Sequence, residues 1–206
     1  MKILFQGDSI TDVGRSRDND GYIGSGYPLL VKAHLGYHFP GEYEFFNRGI
    51  SGNRIVDLYA RIKCDIINIK PDIMSILIGV NDVWHEYSQK PNGVSTEKFF
   101  KIYSMLIEEI RAELPDIKII IMEPFSLKGS GNESVWEEFD YEVRERAKMA
   151  KKIADTYGLT FVKLQEQFDE LCQKQDASYW LGDGVHPTPM GHEFIKEQWL
   201  KAFNSL

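Results

Sequence analysis

Ser9, in Gly7-Asp8-Ser9-Ile10-Thr11, and the pair Asp183 and His186, in Asp183-Gly184-Val185-His186-Pro187, are the residues whose types could make a nucleophile. A serine hydroxyl attacks a carbonyl only when a base removes its proton and something holds the charge that appears on the attacked oxygen. An aspartate three residues ahead of a histidine in a tight turn can reach the far ring nitrogen, fixing the tautomer and stabilising the imidazolium. For the charge on the attacked oxygen, Gly52 offers a free backbone N–H and Asn81 a side-chain amide. Taken singly, each signal has a plainer reading. Gly7-Asp8-Ser9 is also a strand-to-helix turn with a capping serine, Asp183-Gly184 a common turn pair, Gly52 a left-handed turn position and Asn81 an Asx-turn. Taken together they point to acyl transfer, because all four fall where one sheet edge would bring them together.

Short apolar runs alternate with amphipathic stretches. The runs are KILFQ (2–6), YEFFN (43–47), DIMSILIG (72–79), IKIIIMEP (117–124) and LTFVKL (159–164), which read as buried parallel strands. Between them, Ile55, Leu58, Tyr59, Ile62, Ile66 and Ile69 keep helical spacing. So do Phe99, Tyr103, Leu106, Ile107, Ile110 and Leu114, up to Pro115. A third helix is expected over about 136–157, ending at Gly158, and a fourth from Thr188-Pro189. Stretches 12–26 and 126–134 read as loops. The pattern predicts a single α/β domain over 1–206, a doubly wound parallel sheet with helices on both faces. In such sheets ligands sit beyond the carboxyl ends of the strands, which is where Ser9, the 47–53 stretch and Gly79 to Asp82 fall.

Composition narrows the partners. With 43% hydrophobic residues in 206, the chain can bury one sizeable core. A net charge of -7 argues against a nucleic-acid groove or an anionic membrane surface. No run of about 18 apolar residues occurs, and the first residues are too polar for a signal-peptide core, so a cytoplasmic location is expected. Cys64 and Cys172 are isolated and read as reduced structural thiols. Two rival chemistries fit less well. An aspartyl-phosphate site on Asp8 would want a second acid where Ile10 stands, and leaves His186 and Asn81 unused. His85-Glu86 and His192-Glu193 begin like zinc-protease helices, but Gln89 and Lys196 occupy the second histidine positions. Neither a metal nor a cofactor is needed. A non-catalytic carbohydrate-binding module would use the aromatics and waste the serine, histidine and aspartate.

Gly7-Asp8-Ser9-Ile10-Thr11, Asn47-Arg48-Gly49-Ile50-Ser51-Gly52, Gly79-Val80-Asn81-Asp82 and Asp183-Gly184-Val185-His186-Pro187 resemble, in order, the four blocks of the SGNH (GDSL) hydrolase superfamily. The resemblance spans nearly the whole chain. It implies Ser9 as nucleophile, Asp183 and His186 as the rest of a triad, and an oxyanion hole from the Ser9 and Gly52 N–H groups and the Asn81 side chain. It also implies a flavodoxin-like three-layer α/β/α sandwich with sheet order 2-1-3-4-5. Flanking residues look like the intracellular acetylxylan-esterase branch, so the expected substrate is a small-molecule ester, an acetylated sugar. Acyl-thioesterases and lysophospholipases of the superfamily share the same blocks and are the alternative. Substrate contacts are expected from Trp84 and Trp180 by ring stacking and from Arg15 and Arg17 on the loop after Ser9. Asp8 is expected to support the site through hydrogen bonds or as a cap. Homo-oligomerisation is left open.

Overall fold

The computed structural model describes residues 1–206. Five strands, β1 (Lys2–Gly7), β2 (Glu44–Asn47), β3 (Ile73–Leu77), β4 (Lys118–Met122) and β5 (Thr160–Val162), form one parallel sheet in the order β2-β1-β3-β4-β5. Each of the five expected runs is a strand; the first is longer by one residue, and the other four are trimmed by one to three. The first crossover places β2 on one side of β1, and the next places β3 on the other. That reversal opens a crevice above β1, where Ser9 follows.

The helices are α1 (Ser9–Asp12), α2 (Tyr27–His38), α3 (Ile55–Ala60), α4 (Val80–Trp84), α5 (Thr96–Glu113), α6 (Trp136–Tyr157), α7 (Gln165–Leu171), α8 (Ala177–Trp180) and α9 (Pro189–Phe203). They cover both faces of the sheet because its strands are apolar on both. Along β1, Ile3 and Phe5 join a core with Val31 and Leu35 of α2 and Ile195 and Trp199 of α9. Leu4 between them joins an opposite core with Leu58 of α3 and Phe99, Tyr103 and Ile107 of α5. The two cores hold 26 and 21 buried residues, so neither face is left open and the three-layer sandwich follows.

The expected helix over 136–157 is α6, closed by Gly158 in the left-handed region at φ 60°. The terminal helix starts as its sequence suggests, with Thr188 Oγ1 accepting from Gly191 N–H and Pro189 in the first turn. The stretch expected as one helix from Ile55 to Ile69 is instead α3 followed by a π-helical turn over Lys63–Ile67. The wider turn keeps Ile62, Ile66 and Ile69 buried, so the apolar stripe survives the change of pitch. Helices α2, α4, α7 and α8 are additional to the sequence reading. No helix of the chain is long and apolar enough to cross a membrane.

Candidate active site

Strand β1 ends at Gly7, and Asp8 turns the chain into the single helical turn α1. Asp8 Oδ1 accepts from Ile10 N–H at 3.0 Å, so Asp8 is the cap and Ser9 the first helical residue. An N–H in the first helical turn has no acceptor within its own helix, and that of Ser9 is such a group. The Ser9 side chain stands at the mouth of the crevice.

The partners arrive from the other end of the chain. Ser9 Oγ lies 2.9 Å from His186 Nε2, and His186 Nδ1 lies 2.7 Å from Asp183 Oδ2. With Nδ1–H donating to the carboxylate, Nε2 is left to accept from the serine hydroxyl. The other carboxylate oxygen, Asp183 Oδ1, accepts from the backbone N–H groups of Val185 and His186 at 2.9 and 2.8 Å. Burial would push the Asp183 carboxyl up. The bonds from His186, backbone and ring, and from Val185 outweigh it and hold the carboxyl below its ordinary value. A bridge between Leu181 and Pro187 closes this turn at its base.

The oxyanion candidates lie on the segments that follow β2 and β3. Gly52 has φ 81°, a conformation that disfavours any side chain, and its N–H has no acceptor within the chain. His85 Nε2 is the nearest atom to where a Gly52 side chain would begin, at 3.8 Å. Asn81, on α4, donates one amide hydrogen to Asn53 C=O at 3.1 Å and keeps the other free. On the following residue, both carboxylate oxygens of Asp82 accept from Ile55 N–H at 3.1 and 3.2 Å, which ties α4 to the start of α3.

Groups that carry no chemistry hold this arrangement, and the sequence reading did not single them out. Asn47 Nδ2 donates to Thr11 C=O and Ile23 C=O, and its Oδ1 accepts from Gly49 N–H. Arg61 Nε donates to Asn53 Oδ1 and its terminal nitrogens to Arg48 C=O and Gln6 Oε1. The 126–134 stretch, expected only as a loop, braces the acid and base. Gly131 N–H donates to Asp183 C=O and Leu127 N–H to Gly184 C=O.

The expected substrate contacts fare unequally. Trp84 forms a wall of the crevice, its ring 5.8 Å from that of His186 and edge-on to Phe139. Trp180 packs against the core, and its indole N–H donates to Leu171 C=O, so the polar edge expected to meet a sugar is already engaged. Arg15 Nε and Nη1 donate to Gly49 C=O and Ser16 C=O. Burial, with Arg17 and Arg48 nearby, lowers its pKa to about 10. It braces the loop before Gly52. Asp8 is 1% exposed, and burial pushes its carboxyl up to about 7 against the opposing pull of Ile10 N–H and His186.

This geometry sits in a chain whose residues 5–194 match the GDSL-like lipase/acylhydrolase family. The chain belongs to that family. It is a carboxylic ester hydrolase. It is 34% identical over 209 residues to an acetylxylan esterase of Geobacillus stearothermophilus, covering 97% of this chain and 92% of the relative. Among solved structures, a GDSL-like lipase from Parabacteroides merdae superposes with a TM-score of 0.92 at 34% identity, covering 98% of this chain and 95% of the other. Axe2, an acetylxylan esterase from Geobacillus stearothermophilus, gives 0.88 at 32% identity, covering 98% and 93%. Catalytic mutants of Axe2 replace a serine and an aspartate by alanine.

Proposed function

We propose that this family member hydrolyses acetyl esters on carbohydrates such as xylo-oligosaccharides, with Ser9 as nucleophile, His186 as base and Asp183 as its orienting partner. The observation that carries the reading is the continuous array from Ser9 Oγ to Asp183 Oδ2, at 2.9 and 2.7 Å. Ser9 Oγ attacks the acetyl carbonyl carbon while His186 Nε2 takes its proton. The oxygen then carries negative charge and is met by the N–H groups of Ser9 and Gly52 and the free amide hydrogen of Asn81. Collapse expels the sugar oxygen, which receives the proton from His186. Water, activated by the same histidine, attacks the acetyl-serine and releases acetate.

Two features support a short acyl group on a polar alcohol. The stretches 12–26 and 47–53, which follow β1 and β2, are rich in Gly, Asp, Asn, Ser and Arg, whose polarity suits hydroxyls better than a lipid tail. A long acyl chain would gain about 0.8 kcal/mol per buried methylene only in an apolar channel next to the serine. The Trp84 ring beside His186 offers a flat apolar face to a sugar.

A fluorophosphonate should label Ser9 and no other serine, with activity indifferent to chelator. In a panel of p-nitrophenyl esters, kcat/KM should fall steeply from acetate to octanoate, and acetate should be released from peracetylated xylosides. Preference for octanoate, with acetylated sugars inert, would give the site to a thioesterase or lysophospholipase activity. An enzyme that hydrolyses acetate with Ser9 unlabelled would remove the triad.

A further inference from the structure

Gly52 cannot direct its own N–H, because glycine is the residue least restrained in φ and ψ. Something must hold the loop that carries it. We propose that Asp12 is a positioning residue that fixes the Gly52 N–H for the transition state by clamping this loop to the helix that begins with the nucleophile. The inference rests on the oxyanion role of Gly52 given above.

One atom does the clamping. Asp12 Oδ2 accepts from Ser51 N–H at 3.0 Å, from Ser51 Oγ–H at 3.0 Å and from Arg17 Nη2 at 2.7 Å. The Asp12 side chain is 5% exposed, so its carboxylate is itself largely withdrawn from water, where being left without donors would be costly. Ser51 immediately precedes Gly52, so the clamp acts one residue from the group it orients.

The other end of the clamp is tied to Ser9. Asp12 closes α1, the turn that Ser9 opens; Asp12 N–H donates to Asp8 C=O at 2.9 Å and Val13 N–H to Ser9 C=O at 3.2 Å. Nucleophile and oxyanion loop therefore share one rigid turn. A second fixed point lies at Gly49, whose backbone rests on α1 so closely that a Cβ there would stand 2.4 Å from Asp12 N. Gly49 C=O accepts from both Arg15 Nε and Arg17 Nη1. Beyond Gly52, the Asn53 carbonyl is held by Asn81. Gly52 is thus suspended between two anchored neighbours. Arg17 is nearly half exposed, so an ion pair with it alone would contribute little and would not explain the two Ser51 bonds.

The test measures kcat and KM on p-nitrophenyl acetate together with inhibition by methylboronic acid, whose tetrahedral serine adduct places an oxygen in the oxyanion site. Asp12→Ala should lower kcat roughly 10- to 100-fold and weaken the boronate by a similar factor, with KM within about two-fold. Asp12→Asn keeps an acceptor oxygen for Ser51 and should recover most of kcat. Ser51→Ala, at an exposed position, removes one of the two bonds and should cost a few-fold in kcat alone. Should Asp12→Ala fail to fold, Ser51→Ala and Asp12→Asn decide. Overturning results are an unchanged kcat in Ser51→Ala, a loss carried by KM, or a folded Asp12→Ala with full activity. Asn81→Ala, run alongside, separates the two layers. If it lowers kcat while the Asp12 and Ser51 variants do not, only the clamp is wrong; if it leaves kcat intact, the oxyanion reading fails and the clamp with it.

Discussion

Replacing Asp8 with asparagine should change how stability depends on pH. Asp8 is almost fully buried beneath the nucleophile, Oδ1 receives a single backbone N–H, and Oδ2 has no hydrogen-bond partner. Burial raises its pKa from 3.8 to about 7. Between those values the native protein binds a proton that the unfolded chain has released. Stability therefore falls as pH rises through this window and stays reduced above it. At roughly 1.4 kcal/mol per pH unit the whole window is worth about 4 kcal/mol as an upper bound, of which roughly 2 to 3 kcal/mol falls between pH 5 and 8.5. Asparagine caps a helix as well as aspartate and does not titrate. Urea unfolding of both proteins at the two pH values should show Asp8→Asn gaining on the wild type by that amount as pH rises. A gap that stays constant within about 0.5 kcal/mol would mean that the buried carboxyl ionises normally, and the desolvation argument would fail. The carboxyl has a further consequence at neutral pH: while Asp8 holds its proton, it places no second negative charge beneath a site that must accommodate an oxyanion.

Acetate release should fall by about 10⁴-fold or more in Ser9→Ala and in His186→Ala, each with an unchanged far-ultraviolet spectrum; an active Ser9→Ala would sink the triad. Asp183→Asn should be impaired on the same order, because an amide cannot stabilise the imidazolium, and near-normal kcat would confine Asp183 to a turn-forming role. Asn81→Ala should lower kcat roughly 10²- to 10³-fold with KM little changed, and a shift in KM alone would make it a ground-state contact. Gly129→Ala would place a Cβ 2.4 Å from Asp183 C and Gly184 N, both backbone atoms that cannot swing aside. It should destabilise by about 1–3 kcal/mol and lower kcat, seen as a lower Tm and slower ester hydrolysis; wild-type values of both would refute the bracing role of the 126–134 loop.

Most of the sheet and the longer helices were legible because their periodicity is strong. In α6, Phe139, Val143, Ala147, Ala150 and Ile153 are all buried on one stripe, and Gly158 stops the helix where its freedom at positive φ is needed. Helix α2 was not legible. Only Tyr27, Pro28, Val31 and Leu35 are buried, while Leu29 and Tyr37 are exposed, so apolar residues fall on both sides of the helix and blur the stripe. Helices α7 and α8, with 7 and 4 residues, are too short for a period of 3.6 to declare itself. The π turn after α3 was hidden for the opposite reason, since the stripe of Ile62, Ile66 and Ile69 reads the same whether one residue is gained or not.

The candidate site divides along a different line. Ser9, His186 and Asp183 were readable because the bonds that link the three run between side chains whose types are dictated by the task. The braces around Gly52 were not, because at one end of most of their bonds is backbone. Asn47 holds Thr11 C=O, Ile23 C=O and Gly49 N–H; Asp82 holds Ile55 N–H; Asp12 holds Ser51 N–H. A backbone carbonyl or N–H leaves no trace in residue identity, so the sequence shows one partner and conceals the other. Asp12, which falls in the stretch read as the 12–26 loop, and Asn47, which appeared only as the first residue of the second block, were given no role of their own for this reason. Their burial is what distinguishes them: Asp12 and Asn47 are 4% and 3% exposed, and buried polar side chains are for the most part hydrogen-bonded within the protein, as these two are. The polar residues of these loops thus split into two groups: those with free donors at the strand ends, and those buried behind them, whose bonds hold the loops together.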